Sequence, residues 1–183
     1  MISVEVQSEE TERLFAELSR RMSDTGPVLD AIGQILVSST QLRFVDEESP
    51  DHVPWQPLSS VTLARRRKKG GGAKILRDTG RLASSITYVA GDGSVSVGTN
   101  VDYANVHQYG QRKGASGRTS RNSPIPWGDI PARPFLGVND GDLKAIDELL
   151  ESYLDASQPE SWWRRLLSGI RGWFQEGIDG GYR

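Results

Sequence analysis

Two stretches of helical apolar spacing fill most of the first 44 residues, and they restrict this chain to folds that begin with a pair of helices. The first stretch carries Leu14, Phe15, Leu18 and Met22. The second carries Val28, Leu29, Ile32, Ile35 and Leu36. Residues 24–27, with the sequence DTGP, end the first helix and supply a cap and an early proline to the second. The pattern predicts helices over 9–22 and 27–44, each with an apolar face that needs a packing partner.

The rest of the chain predicts short elements. Alternating Ile2, Val4 and Val6 predict a strand, and after a loop rich in proline and acid a short helix begins at Ser59 or Ser60. Another short helix follows a cap at Asp78 or Thr79 and turns Leu82 and Ile86 inward. The pattern from Tyr88 to Gly98 predicts a hairpin that turns at 91–93 and places Val95 and Val97 on one face.

Two further elements complete the predicted domain. Residues 130–138 are extended, and their two prolines indicate an edge strand or one with an irregular start. The last helix, over 140–154, is predicted to turn inward Leu143, Ile146, Leu150 and Tyr153. Helices gathered on one side of a small, mainly antiparallel sheet make an α+β domain, which we assign to residues 1–156, with residues 157–183 as a C-terminal amphipathic helical extension.

Composition excludes several function classes. The 183 residues include no cysteine and only two histidines, so disulfides, thiol catalysis and thiolate zinc sites are excluded. No GxSxG turn or P-loop occurs, and the paired Glu47 and Glu48 lie in an acidic loop together with His52. We therefore predict no catalytic residue, no metal and no cofactor. The N-terminus lacks the pattern of a signal peptide and no long apolar run follows, so we expect a soluble protein made in a cytoplasm.

Charge is distributed unevenly along the chain. Residues 1–59 carry 4 basic and 11 acidic groups, residues 60–122 carry 12 and 3, and residues 123–183 carry 6 and 10. The basic middle contains Arg65, Arg66, Arg67, Lys68 and Lys69 in one run and Arg112, Lys113, Arg118 and Arg121 in a second. Neither run is expected to be ordered in an isolated subunit. Such a segment suits a nucleic-acid face or a contact between oppositely charged subunits, and charge alone does not choose between them.

Three motifs, taken in order, resemble the phage virion morphogenesis, or tail completion, family of Mu-like tailed phages. They are IL..TG.L..SI, VGT...YA..HQYG and IPARPFLG, preceded by a loop with Trp55 and Pro57, and the resemblance covers roughly residues 1–155. The motif residues of interest are Thr79, Gly80, Leu82, Tyr103, Ala104, His107, Gly110, Pro131, Arg133, Pro134 and Phe135.

The resemblance implies a structural protein that completes the tail and helps to join it to the head. It also implies a ring of subunits, commonly six, with tail tube and head-neck proteins as partners and DNA passing through the lumen. The protein would then be found in the tail or neck of the virion, after assembly in the host cytoplasm. A lumen through which DNA passes would tolerate the positive charge of the basic segments.

Two motif residues, His107 and Arg133, could have either a chemical or a structural role. His107 ends a short helix whose exit is Gly110, and we predict that its ring packs on Tyr103 and bonds to the backbone, a structural role rather than catalysis. Arg133, between two prolines, either anchors a carboxylate in the fold or on a neighbouring subunit, or is solvated.

The C-terminal extension is strongly amphipathic. Ser157 and Glu160 have the spacing of a capping box. The apolar residues that follow at helical spacing are Trp162, Trp163, Leu166, Leu167, Ile170, Trp173 and Phe174. So large an apolar face needs cover, and we predict that it docks on protein, either its own core or a neighbour, rather than on a membrane.

Two rival functions remain. A nucleic-acid-binding module would use residues 65–69 and 112–121, although neither run has the interleaved aromatics that stack on bases. A tail-borne peptidoglycan hydrolase would need an acid and base pair that the sequence does not supply. An enzyme is the weaker class.

Overall fold

The computed structural model describes residues 9–68 and 72–155, which form helices around one antiparallel hairpin. The elements, in chain order, are α1 (Glu9–Ser23), α2 (Gly26–Asp46), α3 (Ser60–Lys68), α4 (Arg81–Ser84), β1 (Thr87–Gly91), β2 (Ser94–Gly98), α5 (Ala104–Tyr109) and α6 (Asp140–Leu154). This arrangement confirms the predicted α+β class. The predicted strand at residues 2–6 and the C-terminal helix beyond residue 156 lie outside the described residues.

The hairpin forms as the turn residues predict. β1 and β2 pair antiparallel with Tyr88 opposite Val97 and Ala90 opposite Val95. Asp92 and Gly93 between the strands have φ of 51° and 72°, the positive values that a tight two-residue turn requires. The face with Tyr88, Val95 and Val97 is half-buried, whereas Val89 on the other face is exposed.

Helix α2 is the central element of the domain, since none of its residues from 31 to 45 is fully exposed. On one side it packs against the hairpin, and at Gly33 the approach is so close that a Cβ atom would lie 2.2 Å from Cδ2 of Tyr88. On another side it packs against α6. A mainly apolar helix covered all round is the pattern of a core helix rather than a surface one.

Two apolar clusters form along α2. The larger, near the C-terminal end of α2, consists of Phe44, Trp55, Ile75, Leu82, Ile86, Val101, Ala104 and Phe135. Its aromatic centre is tight, with ring centroids 5.6 Å apart for Phe44 and Trp55 and 5.2 Å apart for Phe44 and Phe135. The smaller cluster, near the N-terminal end of α2, consists of Val28, Ala31, Ile35, Leu149 and Tyr153.

The predicted inner faces of α1 and α6 were wrong in part. On α6 the buried residues are Asp142, Leu149 and Tyr153, while the predicted Leu143 and Leu150 are exposed. The helix is rotated because Asp142, an acid, is drawn inward by a buried arginine of α2, and hydrophobic spacing alone gives no sign of that pair.

On α1 the disagreement is larger. Leu14, Phe15 and Met22 are 45%, 68% and 65% exposed, and the buried residue is Arg21. Arg21 Nη1 donates to the carbonyl oxygens of Tyr153 and Asp155 at the end of α6, at 2.9 and 2.8 Å. A charged side chain therefore fixes α1 to the domain, and the apolar stripe of α1 faces away from the described core.

The two predicted irregular regions also differ from expectation. Residues 130–138 are extended but do not join the hairpin as an edge strand; their one bridge pairs Ile130 with Gln111. The loop at 111–127 is paired along its length, because Ser116 N donates to Ile125 O and Ile125 N donates to Gly117 O. We call residues 111–130 the arm. Its predicted mobility in the free subunit stays a prediction.

The first basic run is helical as far as Lys68, although its charge predicted no independent order. Arg66 explains the difference, because its Nη1 donates to the carbonyl of Lys74 at 2.6 Å and its Nε lies 3.3 Å from Oδ1 of Asp78. One arginine of the run is thus neutralised within the fold. Lys69 lies outside the described residues.

Candidate functional site

The motif segments meet on one extended segment, residues 130–137. Leu82, Ala104 and Phe135, one from each of the three motifs, belong to the larger apolar cluster. Gln108 of α5 clamps the segment, since its Oε1 accepts from the backbone nitrogens of Phe135 and Leu136 at 3.0 and 3.1 Å, and its Nε2 donates to the carbonyl of Leu136. The motifs therefore build a packed junction rather than an open cleft.

Arg133 is buried within this junction. It is 5% exposed, and its guanidinium donates to the backbone carbonyls of Gln56 and Pro57 at 2.9 and 3.3 Å. The interpretation as a solvated side chain was wrong, and within the described fold the partners are carbonyls rather than a carboxylate; an anchor on a neighbouring subunit stays a prediction. Trp55 makes a parallel link, because its Nε1 donates to the carbonyl of Pro134 at 2.9 Å. Two side chains thus tie the loop after α2 to the extended segment. Because this segment is not a strand of the hairpin, Pro131 and Pro134 interrupt no hydrogen bond between strands.

His107 lies where predicted, in a short helix that ends at Gly110. Its ring meets Tyr103 edge-to-face with centroids 5.8 Å apart, which confirms the predicted packing. The predicted backbone bond is not made by Nδ1, which is buried without a partner; instead the carbonyl of His107 accepts from Arg133 N at 2.7 Å. Gly110 has φ of 73° and ψ of 170°, so the positive φ is confirmed although the conformation is extended rather than left-handed helical.

Burial lowers the pKa of His107 below its usual 6.5, and the positive charges of Arg133 and Arg66 lower that pKa further. The folded state therefore resists protonation, while the unfolded chain accepts a proton near pH 6.5. The stabilisation that this difference provides is complete above pH 6.5 and is lost as pH falls through the window between 6.5 and the lower folded pKa.

We accordingly expect the free energy of unfolding to fall as pH decreases from 7 to 5, with part of the slope contributed by His107. In His107→Gln that part of the slope should vanish, although the variant is less stable at neutral pH because ring packing is lost. Denaturant unfolding followed by circular dichroism at several pH values measures the slope. His52→Gln, at a largely exposed histidine, is the control. A slope that His107→Gln leaves unchanged would contradict the assignment.

The TG motif positions a turn rather than a ligand. Gly80 has φ of 74° and occupies the N-cap of α4, and Leu82 behind it is 2% exposed. The predicted cap position was wrong, since Gly80 rather than Asp78 or Thr79 occupies the N-cap, although Oγ1 of Thr79 accepts from Arg81 N at 3.4 Å; Asp78 pairs with Arg66. The glycine supplies a positive φ that side-chain-bearing residues rarely adopt.

Sequence reasoning missed the pair Arg43 and Asp142, which ties α2 to α6 and to the extended segment. Both side chains are 4% exposed, and Nη2 of Arg43 lies 2.5 Å from Oδ2 of Asp142. Nη1 of Arg43 donates to the carbonyls of Phe135 and Gly137. Asp142 also completes a capping box with Asn139. The capping spacing of Asn139 and Asp142, together with one arginine inside an apolar helix, was the available signal.

The exposed residues of the two predicted basic runs lie on two elements. Arg65, Arg67 and Lys68 are exposed on α3, and the arm exposes Arg112, Lys113, Arg118 and Arg121. The arm is held from within by backbone pairing and by Asp129 Oδ1, which accepts from Lys113 N at 2.7 Å. Two large aromatic side chains flank its base, with Tyr109 79% and Trp127 73% exposed. Basic and apolar groups therefore share one projecting element.

The described residues contain no group of three His, Asp or Glu side chains arranged to hold a metal ion. Within residues 9–68 and 72–155, no helix combines the length and apolar character needed to cross a membrane. The described residues offer apolar packing, hydrogen bonds from side chains to the backbone, and exposed charged side chains.

Comparison with known proteins assigns the chain to a family. Residues 6–155 match the model of the phage virion morphogenesis family. The chain belongs to this family. It is 32% identical over 124 residues, 67% of this chain and 74% of the relative, to the "Putative capsid assembly protein G" of Escherichia phage Mu. It is 27% identical over 154 residues, 84% of this chain and 96% of the relative, to the "Mu-like prophage FluMu G protein 2" of Haemophilus influenzae. No solved structure matches.

Family membership confirms the resemblance drawn from the motifs and gives the chain a role in building a phage particle. The junction then explains the motifs physically. In this family member the motif residues fix the course of the chain around residues 130–137.

Proposed function

We propose that this family member completes the phage tail and helps to join it to the head, as a subunit of a closed ring, for which six copies is the number that the resemblance implies. The observation that carries the proposal is the separation of exposed charge between elements. The arm exposes Arg112, Lys113, Arg118 and Arg121, and α6 exposes Asp140, Asp147, Glu148 and Glu151. Oppositely charged surfaces on one subunit favour head-to-tail contacts, and such contacts form a ring when the rotation between subunits closes.

The arm is the best-suited contact element. Its paired backbone holds the basic side chains out, while Tyr109 and Trp127 offer the kind of aromatic area that interface cores use. Ring partners would therefore be copies of this chain, with tail tube and head-neck proteins above and below. The name of the Mu relative, a capsid assembly protein, is consistent with a position on the head side of the tail. We place the protein in the tail or neck of the virion.

The test is the assembly state of the full chain. We expect ring-shaped particles by negative stain and a matching mass in solution, and we expect Arg118→Glu with Arg121→Glu to reduce the assembled fraction. Lys74→Glu with Arg81→Glu, exposed residues away from the arm, is the matched control and should leave assembly intact. Equal loss in both double variants, or rings that neither variant affects, would contradict the role of the arm.

A second function is favoured by the exposed Arg65, Arg67 and Lys68 of α3. We infer that these three residues of α3 face DNA as it passes through the ring lumen. Binding to duplex DNA should then ignore sequence and weaken steeply with salt, because the affinity comes from released counterions. A marked sequence preference would support the rival, a nucleic-acid-binding module, and tight binding at high salt would contradict both.

No catalytic step is part of this proposal. The half-buried His107 has no carboxylate among the partners described for it, and Arg133 donates to backbone carbonyls. We expect assembly, not turnover, to be the property that mutations at the junction change.

A further inference from the structure

The apolar stripe of α1 is uncovered in the described structure. Leu14, Phe15 and Met22 are 45%, 68% and 65% exposed, and Leu18 between them is half-buried. These four positions lie on one helical face over two turns. Ala16, on the opposite face, is exposed as well. An amphipathic helix whose apolar side faces solvent needs a partner, because exposed apolar surface of this kind is rarely left uncovered.

The C-terminal end of the described chain lies directly beside this helix. Arg21 of α1 is 5% exposed and its Nη1 donates to the carbonyls of Tyr153 and Asp155. The hydroxyl of Tyr153 donates to the carbonyl of Asp24 at 2.5 Å and lies 3.1 Å from the carbonyl oxygen of Arg21. The end of α6 is therefore held against the C-terminal part of α1. The residue that holds it, Arg21, is the sequence neighbour of Met22 in the apolar stripe.

The segment that continues from this point carries the apolar residues that such a stripe could accept. They are Trp162, Trp163, Leu166, Leu167, Ile170, Trp173 and Phe174. With a helix that begins after the predicted cap at Ser157, Trp162 can lie up to roughly 14 Å from Asp155. The α1 stripe from Leu14 to Met22 is only about 12 Å long. The link is therefore long enough to lay the segment along the stripe within one subunit.

We propose that residues 157–183 dock as an amphipathic helix on the α1 face formed by Leu14, Phe15, Leu18 and Met22 of the same chain. The covalent link favours this occupant over a second copy, because it holds the segment at a high effective concentration beside the stripe. It favours protein over a membrane for the same reason. The site is independent of the ring contacts proposed for the arm.

The chain offers a clean test because it contains no cysteine. In the full chain, Leu18→Cys is combined with Leu166→Cys in one variant and with Ile170→Cys in another, and disulfide formation is followed under mild oxidation. The matched controls combine Ala16→Cys with the same partners. We expect at least one Leu18 pair to form an intramolecular disulfide about tenfold or more faster than its Ala16 control.

Mass spectrometry of the oxidised chains separates the outcomes. Disulfides that link two chains only would assign the stripe to a second copy and overturn the proposal. Equal rates from Leu18 and Ala16 would overturn it also, since the segment would then have no preferred face.

A second measurement does not depend on cross-linking. Hydrogen exchange of amides in residues 160–175 should be slow in the full chain and at least about tenfold faster in Phe15→Ser with Met22→Ser, because burial of one large side chain is worth more than a decade in an equilibrium constant. Ala16→Ser should leave exchange unchanged. Protection that arises only when vesicles with anionic lipid are added would instead show a membrane-bound helix and would sink the docking site.

Discussion

Replacing Asp142 by alanine should lower the free energy of unfolding by about 3 to 5 kcal/mol, the usual cost of leaving one partner of a buried ion pair alone. Arg43 and Asp142 are each 4% exposed, so water cannot replace the lost carboxylate around Nη2 of Arg43. The same change removes the bond from Asn139 N to Oδ2 of Asp142 and so weakens the capping of α6. Denaturant titration followed by far-ultraviolet circular dichroism measures the loss.

Asp140→Ala is the control for this prediction. Asp140 lies in the same first turn of α6 but is exposed, so its replacement should cost well under about 1 kcal/mol through the helix dipole alone. Combining Arg43→Met with Asp142→Leu should recover part of the stability, because the pair is then replaced by apolar groups instead of being broken. If Asp142→Ala cost no more than Asp140→Ala, the pair would not fix α6 as described.

The second large effect is expected at Gly110. A Cβ atom there would lie 2.8 Å from Ala132 N and 2.8 Å from Ile130 O, and both are backbone atoms that cannot turn aside. The φ of 73° with ψ of 170° is also a conformation that belongs almost entirely to glycine. Strain and overpacking each cost about 1 to 3 kcal/mol, so Gly110→Ala should lose roughly 2 to 6 kcal/mol.

Gly93→Ala is the comparison. Gly93 has φ of 72°, almost the same as Gly110, but an added Cβ atom would meet nothing within 4 Å. Its replacement therefore reports the cost of a positive φ without a close contact, and the excess loss in Gly110→Ala reports the clash with residues 130–132 together with the added cost of ψ at 170°. Thermal melts of both variants give the comparison. Equal losses would show that the close approach of the extended segment to Gly110 does not matter for stability.

Backbone-encoded features were predictable from the sequence. The bounds of α2 and α6 follow from apolar spacing, and the hairpin follows from the turn residues Asp92 and Gly93. The short helix that ends at Gly110, with the ring of His107 packed on Tyr103, was also predicted correctly. Local dihedral preferences and periodicity decide these features, and both can be read from a few neighbouring residues.

The candidate site was predictable as a set of motifs but not as a geometry. Thr79, Gly80, His107 and Arg133 were identified, yet the carbonyl partners of Arg133 lie 76 and 77 positions away in the chain. A hydrogen bond between a side chain and a distant backbone carbonyl leaves no pattern in either segment. The same is true of Gln108, whose clamp on residues 135 and 136 resembles in sequence any exposed amide.

The sequence by itself determined the family, the α+β class, the helical periods and the turns, because these depend on local spacing and on residues such as glycine that tolerate few alternatives. Only the tertiary structure decided which helix faces are buried. Arg21 turned α1 toward the end of α6 and Asp142 turned α6 toward Arg43, so buried charges with distant partners overrode the apolar stripes. Desolvating a charge costs more than exposing a leucine, and a charge that finds its partner therefore sets the orientation of its helix.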